Sequence, residues 1–214
     1  MRKLNILSFV SLDGVMQAPG GPEEDLSGGF EYGGWVAGYW DAFLETVMSE
    51  QTGRPFELLL GRKTYDIFAA YWPRAKEDVF ADTLNNARKY VVSTTLKKLD
   101  WNNSRLIQGD VVEEIRKLKD QDGPELQVHG SSGLIQTLLK HDLADGLLLK
   151  IFPVTLGKGK RLFGEGALPA SFRLLDAKTS TTGVIVASYE REGKIKTGSF
   201  DLENQKRETP QPVK

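Results

Sequence analysis

The sequence predicts an α/β fold of three layers, in which helices cover both faces of a mostly parallel sheet that has an antiparallel edge at its C-terminal end. Two observations predict this fold. Short apolar runs alternate with stretches of helical periodicity between residues 4 and 152, and two strand-like runs then follow each other without a helix between them. Residues 1–200 are expected to form a single domain, and residues 201–214 a polar tail.

The first third of the chain predicts a strand, a long loop and a helix. Residues 4–10 form an apolar run that ends at the turn signal Asp13-Gly14. Residues 17–34 carry six glycines, two prolines and four acids, which favours a long irregular loop that could act as a lid. Apolar spacing then predicts a helix at 36–51, a strand at 56–60 and a helix at 62–70.

The remainder of the chain continues the alternation and then changes character. A capping box of Asp110 and Glu113 precedes an amphipathic helix. A strand, a helix and a further strand between residues 125 and 152 predict a crossover that joins a parallel pair. The other predicted strands are 90–93, 106–107, 172–178, 183–190 and 194–200.

Composition excludes several classes of protein. The net charge of −1 provides no basic field for nucleic acid or for a membrane surface. The chain has no cysteine and only two histidines, so we expect no disulfide, no thiolate site and no metal centre. The apolar stretch at the N-terminus is too short for a signal peptide or a membrane span. We therefore expect a cytoplasmic protein that binds a small molecule.

Polar residues follow three of the predicted strands at the point where each strand ends. These segments are "GRKT" at 61–64, "STT" at 93–95 and "GSSG" at 130–133. In open α/β sheets ligands bind beyond the carboxyl ends of the strands, and a helix that starts there offers free N–H groups to an anion. The three segments together predict a ligand with several phosphates. The spacings of the usual dinucleotide and P-loop motifs are absent.

The order and spacing of these segments resemble the dihydrofolate reductase-like superfamily. "SLDG" at 11–14 and "PVTLGKGKRLF" at 153–163 are similar to the RibD C-terminal domain family, the reductase half of a bifunctional riboflavin-biosynthesis deaminase/reductase. The resemblance extends over about residues 3–190 and implies that the cofactor is NADPH. The deaminase half has no counterpart in this sequence.

The resemblance also implies which residues contact the cofactor. The segment at 61–64 matches the pyrophosphate and adenosine-phosphate segment, 93–95 matches the segment beside the 2′-phosphate, and 130–133 matches the glycine loop on the diphosphate. Dihydrofolate reductases hold a cis Gly–Gly bond in that loop, and the matching pair here is His129-Gly130. The implied cofactor-binding residues are Phe9, Met16, Gly61, Arg62, Lys63, Thr64, Ser93, Thr94, Thr95, His129, Gly130, Ser131, Ser132, Gly133 and Leu134.

A hydride transfer also needs a proton source, and Asp13 and Glu45 are the catalytic candidates. In dihydrofolate reductases the substrate acid lies on the helix before the strand that ends in Gly-Arg, and Glu45 stands 61 − 45 = 16 residues before Gly61. The alternatives stay open: Asp13 as a turn residue, Glu45 on a solvated helix face, and Asp41 as a third acid. The basic segment 158–161 could hold a substrate phosphate or could be a solvated loop.

The leading hypothesis is an NADPH-dependent reductase of a heterocycle that resembles either a pterin or 5-amino-6-(5-phosphoribosylamino)uracil, with riboflavin biosynthesis as a possible pathway. A non-catalytic NADP(H)-binding module is the first alternative. A phosphosugar-binding domain that uses the anion loops without a dinucleotide is the second. A homodimer formed through residues 153–163 and the final strands is also compatible with the sequence.

Overall fold

Residues 1–76 and 78–200 are described by a computed structural model, and the predicted polar tail 201–214 lies outside the described residues. Among these described residues, eight strands form one sheet. They are β1 (Leu4–Ser11), β2 (Phe56–Gly61), β3 (Lys89–Val92), β4 (Ser104–Ile107), β5 (Glu125–Val128), β6 (Gly146–Phe152), β7 (Ser171–Thr179) and β8 (Ile185–Gly193). Their order across the sheet is β4-β3-β2-β5-β1-β6-β8-β7.

Six of the strands run parallel and two form the antiparallel edge. The parallel ladders extend from β4 to β6, while β8 pairs antiparallel with β6 and β7 pairs antiparallel with β8. The predicted fold class is therefore confirmed. The crossover from β5 to β6 does connect parallel strands, but β1 lies between them and pairs with both.

In the part of the chain that the structure describes, five α-helices cover the two faces of the sheet. They are α1 (Ala42–Thr52), α2 (Arg62–Tyr71), α3 (Ala81–Asn86), α4 (Val111–Asp120) and α5 (Ser132–Lys140). Helices α4 and α5 pack on one face, and α1, α2 and α3 pack on the other. Side chains alternate between the faces along β1, so Ile6 joins the core under α4 and α5, whereas Phe9 points to the side of α1.

Local sequence accounts for the two helices on the first face. The side chain of Asp110 caps α4 by accepting hydrogen bonds from the N–H groups of Val112 and Glu113, as its capping-box position predicts. In α5, four apolar residues at helical spacing are buried: Leu134, Ile135, Leu138 and Leu139. No helix among the described residues combines the length and apolar character that a membrane span requires.

Two predictions of secondary structure differ from the structure, and one helix was not predicted. The helix predicted at 36–51 begins only at Ala42, because Asp41 has an extended backbone and caps it; a 3₁₀ turn at Ala37–Tyr39 precedes it. The third C-terminal strand is wrong: residues 194–200 form no strand, since β8 already has β6 and β7 on its two edges. The short helix α3 was not predicted.

Candidate functional site

The three polar strand ends meet at one edge of the sheet. Strands β3, β2 and β5 are neighbours and run parallel, so residues 61–64, 93–95 and 129–133 follow them on the same side; we call these residues the strand-end cluster. The N–H of Gly61 donates to the carbonyl of Gly130 at 3.1 Å. Arg62 Nη1 donates to Thr95 Oγ1 at 2.6 Å. The segments that the sequence places at a common edge are therefore in contact.

Two helices begin in this cluster without a side-chain cap. Gly61 precedes α2 and Ser131 precedes α5, and neither supplies a capping hydrogen bond from a side chain. The first N–H groups of an α-helix have no partner within the helix and carry the positive end of its dipole. Two adjacent uncapped N-termini are thus suited to bind anionic oxygens.

Close backbone approach explains two glycines of the cluster. A Cβ on Gly61 would lie 2.9 Å from the backbone nitrogen of Ser131, and a Cβ on Gly130 would lie 2.5 Å from Thr64 Oγ1. Gly130 also has a φ of +154°. The cis peptide bond of the glycine loop joins Gly130 to Ser131, one residue later than the matching pair His129-Gly130. Any side chain at position 61 or 130 would push the two helix starts apart.

The cations at the start of α2 have acidic partners in the structure. Arg62 Nε lies 3.4 Å from Asp66 Oδ2, one turn along the helix. Lys63 Nζ lies 3.4 Å from Asp25 Oδ1, which belongs to the loop 17–34. Both cationic side chains are about half exposed, so these pairs are weak and open to exchange with another anion.

The second segment of the cluster is a hydroxyl turn. Ser93 is buried, and its Oγ accepts hydrogen bonds from the N–H groups of Thr95 and Leu96 at 3.2 and 3.0 Å. Thr94 and Thr95 are exposed, and the Thr95 hydroxyl is the one that contacts Arg62. Ser93 therefore shapes the turn, while the two threonines face outward.

The loop 17–34 is irregular, as predicted, and is fastened at its centre by Asp25. The carboxylate of Asp25 pairs with Lys160 as well as with Lys63, so it joins the loop both to α2 and to residues 153–163. Burial opposes ionisation of Asp25, but the hydrogen bonds from Lys160 and Ser27 outweigh it and hold the pKa of this carboxyl below its usual range. Gln17 closes the loop by donating to the carbonyls of Asp25 and Ser27.

Asp13 holds the first strand end to residues 153–163. Its carboxylate accepts hydrogen bonds from the Ser11 hydroxyl at 2.5 Å and from the N–H groups of Leu156 and Gly157 at 3.1 and 2.8 Å. These donors, the Ser11 hydroxyl first, lower the pKa of Asp13 to about 2. Asp13 is thus ionised and fully engaged at neutral pH, which agrees with the turn-residue alternative. Arg161 also contacts Asp13, through its carboxylate and its carbonyl.

Glu45 lies on the first turn of α1, and Asp41 is the N-cap of that helix. Glu45 is exposed and, among the described residues, forms no ion pair or side-chain hydrogen bond, which agrees with the solvated-face alternative. Asp41 accepts from the N–H of Leu44 at 3.0 Å and from the Thr181 hydroxyl at 2.7 Å. Asp41 therefore caps α1 and ties it to the turn between β7 and β8.

The remaining predicted residues surround the cluster at different depths. Phe9 is partly buried, and its ring meets those of Trp40 and Phe152 edge to face, with centroids 6.2 and 5.7 Å apart. Met16 and Leu134 are buried in the core. The other predicted contacts line the glycine loop, with His129 and Ser132 partly buried and Gly133 exposed.

Sequence reasoning missed a buried polar group beneath α1. Lys150 is 2% exposed, and its Nζ donates to Gln51 Oε1 at 2.7 Å. Gln127 Nε2 donates to the backbone carbonyl of Gln51 at 3.2 Å, and Gln127 Oε1 lies 3.3 Å from His129 Nε2. The sequence feature that could have revealed this group is the single lysine within the otherwise apolar strand "GLLLKIF". We call these four residues the polar core.

Comparison with known proteins identifies the family. The family described as RibD C-terminal domain matches residues 2–186. The chain belongs to this family. Its RibD C-terminal domain is 31% identical over 140 residues to the uncharacterized protein YyaP of Bacillus subtilis (strain 168), an alignment that covers 64% of this chain and 74% of YyaP. The predicted resemblance is confirmed.

Solved structures share the fold of this RibD C-terminal domain at low sequence identity. A putative riboflavin biosynthesis protein from Shewanella sp. PV-4 has a TM-score of 0.68 at 23% identity, with 89% of this chain and 99% of that chain covered. Dihydrofolate reductase from Enterococcus faecalis, complexed with NADP(H), has a TM-score of 0.56 at 16% identity, with 88% and 96% covered.

A third similar structure is that of a larger, bifunctional protein. The diaminohydroxyphosphoribosylaminopyrimidine deaminase/5-amino-6-(5-phosphoribosylamino)uracil reductase of Thermotoga maritima has a TM-score of 0.59 at 18% identity. The alignment covers 89% of this chain and 56% of that one, so the match accounts for about half of the bifunctional protein. All three similarities confirm the dihydrofolate reductase-like fold.

Proposed function

We propose that this protein is an NADPH-dependent reductase that transfers a hydride to a heterocyclic substrate. One observation carries the proposal: two uncapped helix N-termini and an exposed pair of hydroxyls converge at a single sheet edge, where only glycine fits at positions 61 and 130. That edge suits the phosphates of a dinucleotide. The family membership and the dihydrofolate reductase complexed with NADP(H) support the choice of cofactor.

In this proposal each segment of the strand-end cluster has its own task. The N–H groups at the starts of α2 and α5 hold the diphosphate. Arg62 and the hydroxyls of Thr94 and Thr95 hold the 2′-phosphate, for which a guanidinium is well suited. Phe9 flanks the nicotinamide, and the loop 17–34 excludes water. Bound NADPH supplies the hydride, and the substrate resembles 5-amino-6-(5-phosphoribosylamino)uracil or a pterin.

Isothermal titration with NADPH and NADH tests the cofactor. We expect NADPH to bind at micromolar concentration and NADH at least tenfold more weakly, because NADH has no 2′-phosphate to meet Arg62. The variant Arg62→Ala should remove most of that difference. The control Arg54→Ala, in the turn between α1 and β2 at the opposite edge of the sheet, should leave it unchanged. Failure of both nucleotides to bind at millimolar concentration would refute the proposal.

A non-catalytic NADP(H)-binding module is the second candidate. The observation that favours it is the placement of the two acids. Asp13 is ionised and its oxygens already accept hydrogen bonds from Ser11, Leu156 and Gly157, and Glu45 is exposed. Tight NADPH binding without oxidation of the cofactor by dihydrofolate or by the aminouracil substrate would favour the module over the enzyme.

We also propose a homodimer in the cytoplasm. Apolar side chains on the antiparallel edge support it, since Leu174 and Leu175 on β7 are both 52% exposed and Ile185 on β8 is 40% exposed. Sedimentation velocity measures the mass directly. The substitution Leu174→Lys should shift a dimer to monomer, and a wild-type protein that sediments as a monomer contradicts this part of the proposal.

A further inference from the structure

A buried amine lies beside the ring that flanks the proposed nicotinamide position. Lys150 on β6 is opposite Phe9 on β1 in the parallel ladder, so both side chains point to the α1 side of the sheet. Lys150 Nζ lies 5.2 Å from the centroid of the Phe9 ring. The same amine donates to Gln51 Oε1, at the end of α1.

The surroundings of Lys150 contain little charge. Within residues 1–76 and 78–200, no carboxylate forms an ion pair with it; β8 presents Val186 opposite it, and α1 presents the amide of Gln51. The titratable group that faces it is His129, the residue after β5. Burial, together with the positive charge of Lys150, lowers the pKa of His129 to about 3, so this imidazole is neutral at physiological pH.

A structural role does not explain this amine well. Lys89, a second buried lysine, donates to the carbonyls of Asn85 and Ala87 at 2.7 and 2.8 Å and lies 4.1 Å from the centre of the Trp101 ring. Among the residues that the structure describes, Lys150 has one neutral amide as its hydrogen-bond partner, and the Nε2 of that amide, on Gln51, is itself buried without a partner. Unpaired buried polar groups are costly, so a site of this kind is retained for a ligand or a reaction.

The polar core also adjoins a cavity and holds an amine that can change its protonation state near neutral pH. Burial lowers the pKa of Lys150 to about 7, so both the ammonium and the amine are populated near neutral pH. A general acid works best when its pKa lies near the working pH. Gln51, the partner of Lys150, lines a cavity of about 420 Å³ together with Leu7 and Leu148. The cavity therefore reaches Gln51, whose side chain binds the Lys150 amine.

We propose that Lys150 is the proton donor of the reductase, positioned by Gln51 and facing the reducible bond of the substrate beside Phe9. This inference rests on the proposed function. The substrate carbon accepts the hydride from NADPH, which is oxidised to NADP⁺, and the π pair of the C=N or C=O bond moves to the heteroatom. The heteroatom takes its proton from the Lys150 ammonium, and solvent reprotonates the neutral amine.

A spectroscopic test needs no substrate. In protein labelled with [ε-¹³C]lysine, the Lys150 signal is assigned by its loss in Lys150→Met, or in Lys150→Arg if the first variant does not fold. NADP⁺ carries a positive nicotinamide and NADPH a neutral one. Because like charges a few ångströms apart disfavour a second cation, NADP⁺ should move the Lys150 titration midpoint about one pH unit below that in NADPH. The Lys89 signal is the internal control and should not move.

The outcomes separate the two proposals. A cofactor that binds but leaves the Lys150 signal the same in both oxidation states places this amine away from the nicotinamide and overturns the inference alone. Absence of cofactor binding overturns the proposed function, and the inference falls with it. A midpoint near that of an ordinary lysine also contradicts the inference.

Kinetics provide a second readout with dihydrofolate and 5-amino-6-(5-phosphoribosylamino)uracil as acceptor probes. For an acceptor that is reduced, the wild-type rate should fall above neutral pH as Lys150 loses its proton. Lys150→Met should keep its NADPH affinity, and its rate should be about 100-fold lower. Its rate should also no longer fall above neutral pH, which means that the alkaline limb of the pH profile is lost. Lys89→Met, which removes a remote buried amine, should retain the limb. An alkaline limb that persists in Lys150→Met refutes the assignment.

Discussion

Replacing Lys150 with methionine should change how the free energy of unfolding depends on pH. The pKa of Lys150 is about 7 in the folded protein against an ordinary 10.5, a difference of 10.5 − 7 = 3.5. At about 1.4 kcal/mol for each pH unit, the protonated amine costs at most about 5 kcal/mol of stability. This cost is fully present below pH 7 and fades as pH rises toward the pKa of the unfolded chain.

The wild-type protein should therefore become more stable as pH rises. Between about pH 6 and about pH 9 the unfolded chain binds more protons at Lys150 than the folded one does, and the gain from this residue is about 3 kcal/mol. Lys150→Met should lack that gain. It also leaves Gln51 Oε1 unpaired, which costs about 1–3 kcal/mol at every pH and does not alter the slope.

Urea unfolding at three or four pH values, followed by circular dichroism, measures the two curves. Lys140→Met, which removes an exposed lysine at the end of α5, is the control for the loss of one positive charge. The free energy of unfolding of wild type should rise with pH relative to that of Lys150→Met. Parallel curves for the two proteins would show that Lys150 is not a perturbed amine, and the reasoning from its burial would be refuted.

Three other substitutions test the strand-end cluster and the core. Asp25→Asn frees Lys63 from its acidic partner. It should tighten NADPH binding, measured by calorimetry, about threefold, which is the scale of an exposed ion pair. Weaker binding would show that cofactor binding needs the loop 17–34 to be held by Asp25. Gly61→Ala places a Cβ 2.9 Å from the backbone of Ser131 and should cost about 1–3 kcal/mol in urea unfolding, whereas the control Gly133→Ala meets no atom within 4 Å and should be close to neutral. Leu138→Ala, at a fully buried position in α5, should cost about 2–5 kcal/mol in the same assay, and a loss below 1 kcal/mol would contradict its place in the core.

Local sequence patterns predicted the elements in which one face is apolar. The leucines of α5 and the capping residue Asp110 of α4 each act within a few residues of sequence, so their signals could be recognised directly. The start of α1 was misplaced because Val36 continues the apolar spacing of the helix. In the structure Val36 lies before the cap at Asp41, where it packs as a loop residue against the same core. The six-residue α3 is too short to show a periodic pattern.

The parts that sequence did not reveal depend on contacts between distant segments. The residues next to Asp13 in the sequence indicate only a turn. Its hydrogen-bond partners Leu156 and Gly157 are more than 140 residues away. Lys150 is a charged residue, and ordinary reasoning places charges at the surface. Its burial follows from the position of β6 between β1 and β8, which the sequence of β6 alone does not specify. By contrast, the strand-end cluster could be predicted because parallel strands deliver their ends to one edge.

The central place of β1 has a consequence for how the chain is made. This strand ends at Ser11, whereas its two neighbours in the sheet, β5 and β6, begin at Glu125 and Gly146, so the ribosome makes both of them much later. At about 5–20 residues per second, translation leaves β1 without either neighbour for roughly ten seconds. During that interval its apolar side chains are exposed in the nascent chain, so the interval between β1 and β5 is the stage of synthesis at which chaperones have most to protect.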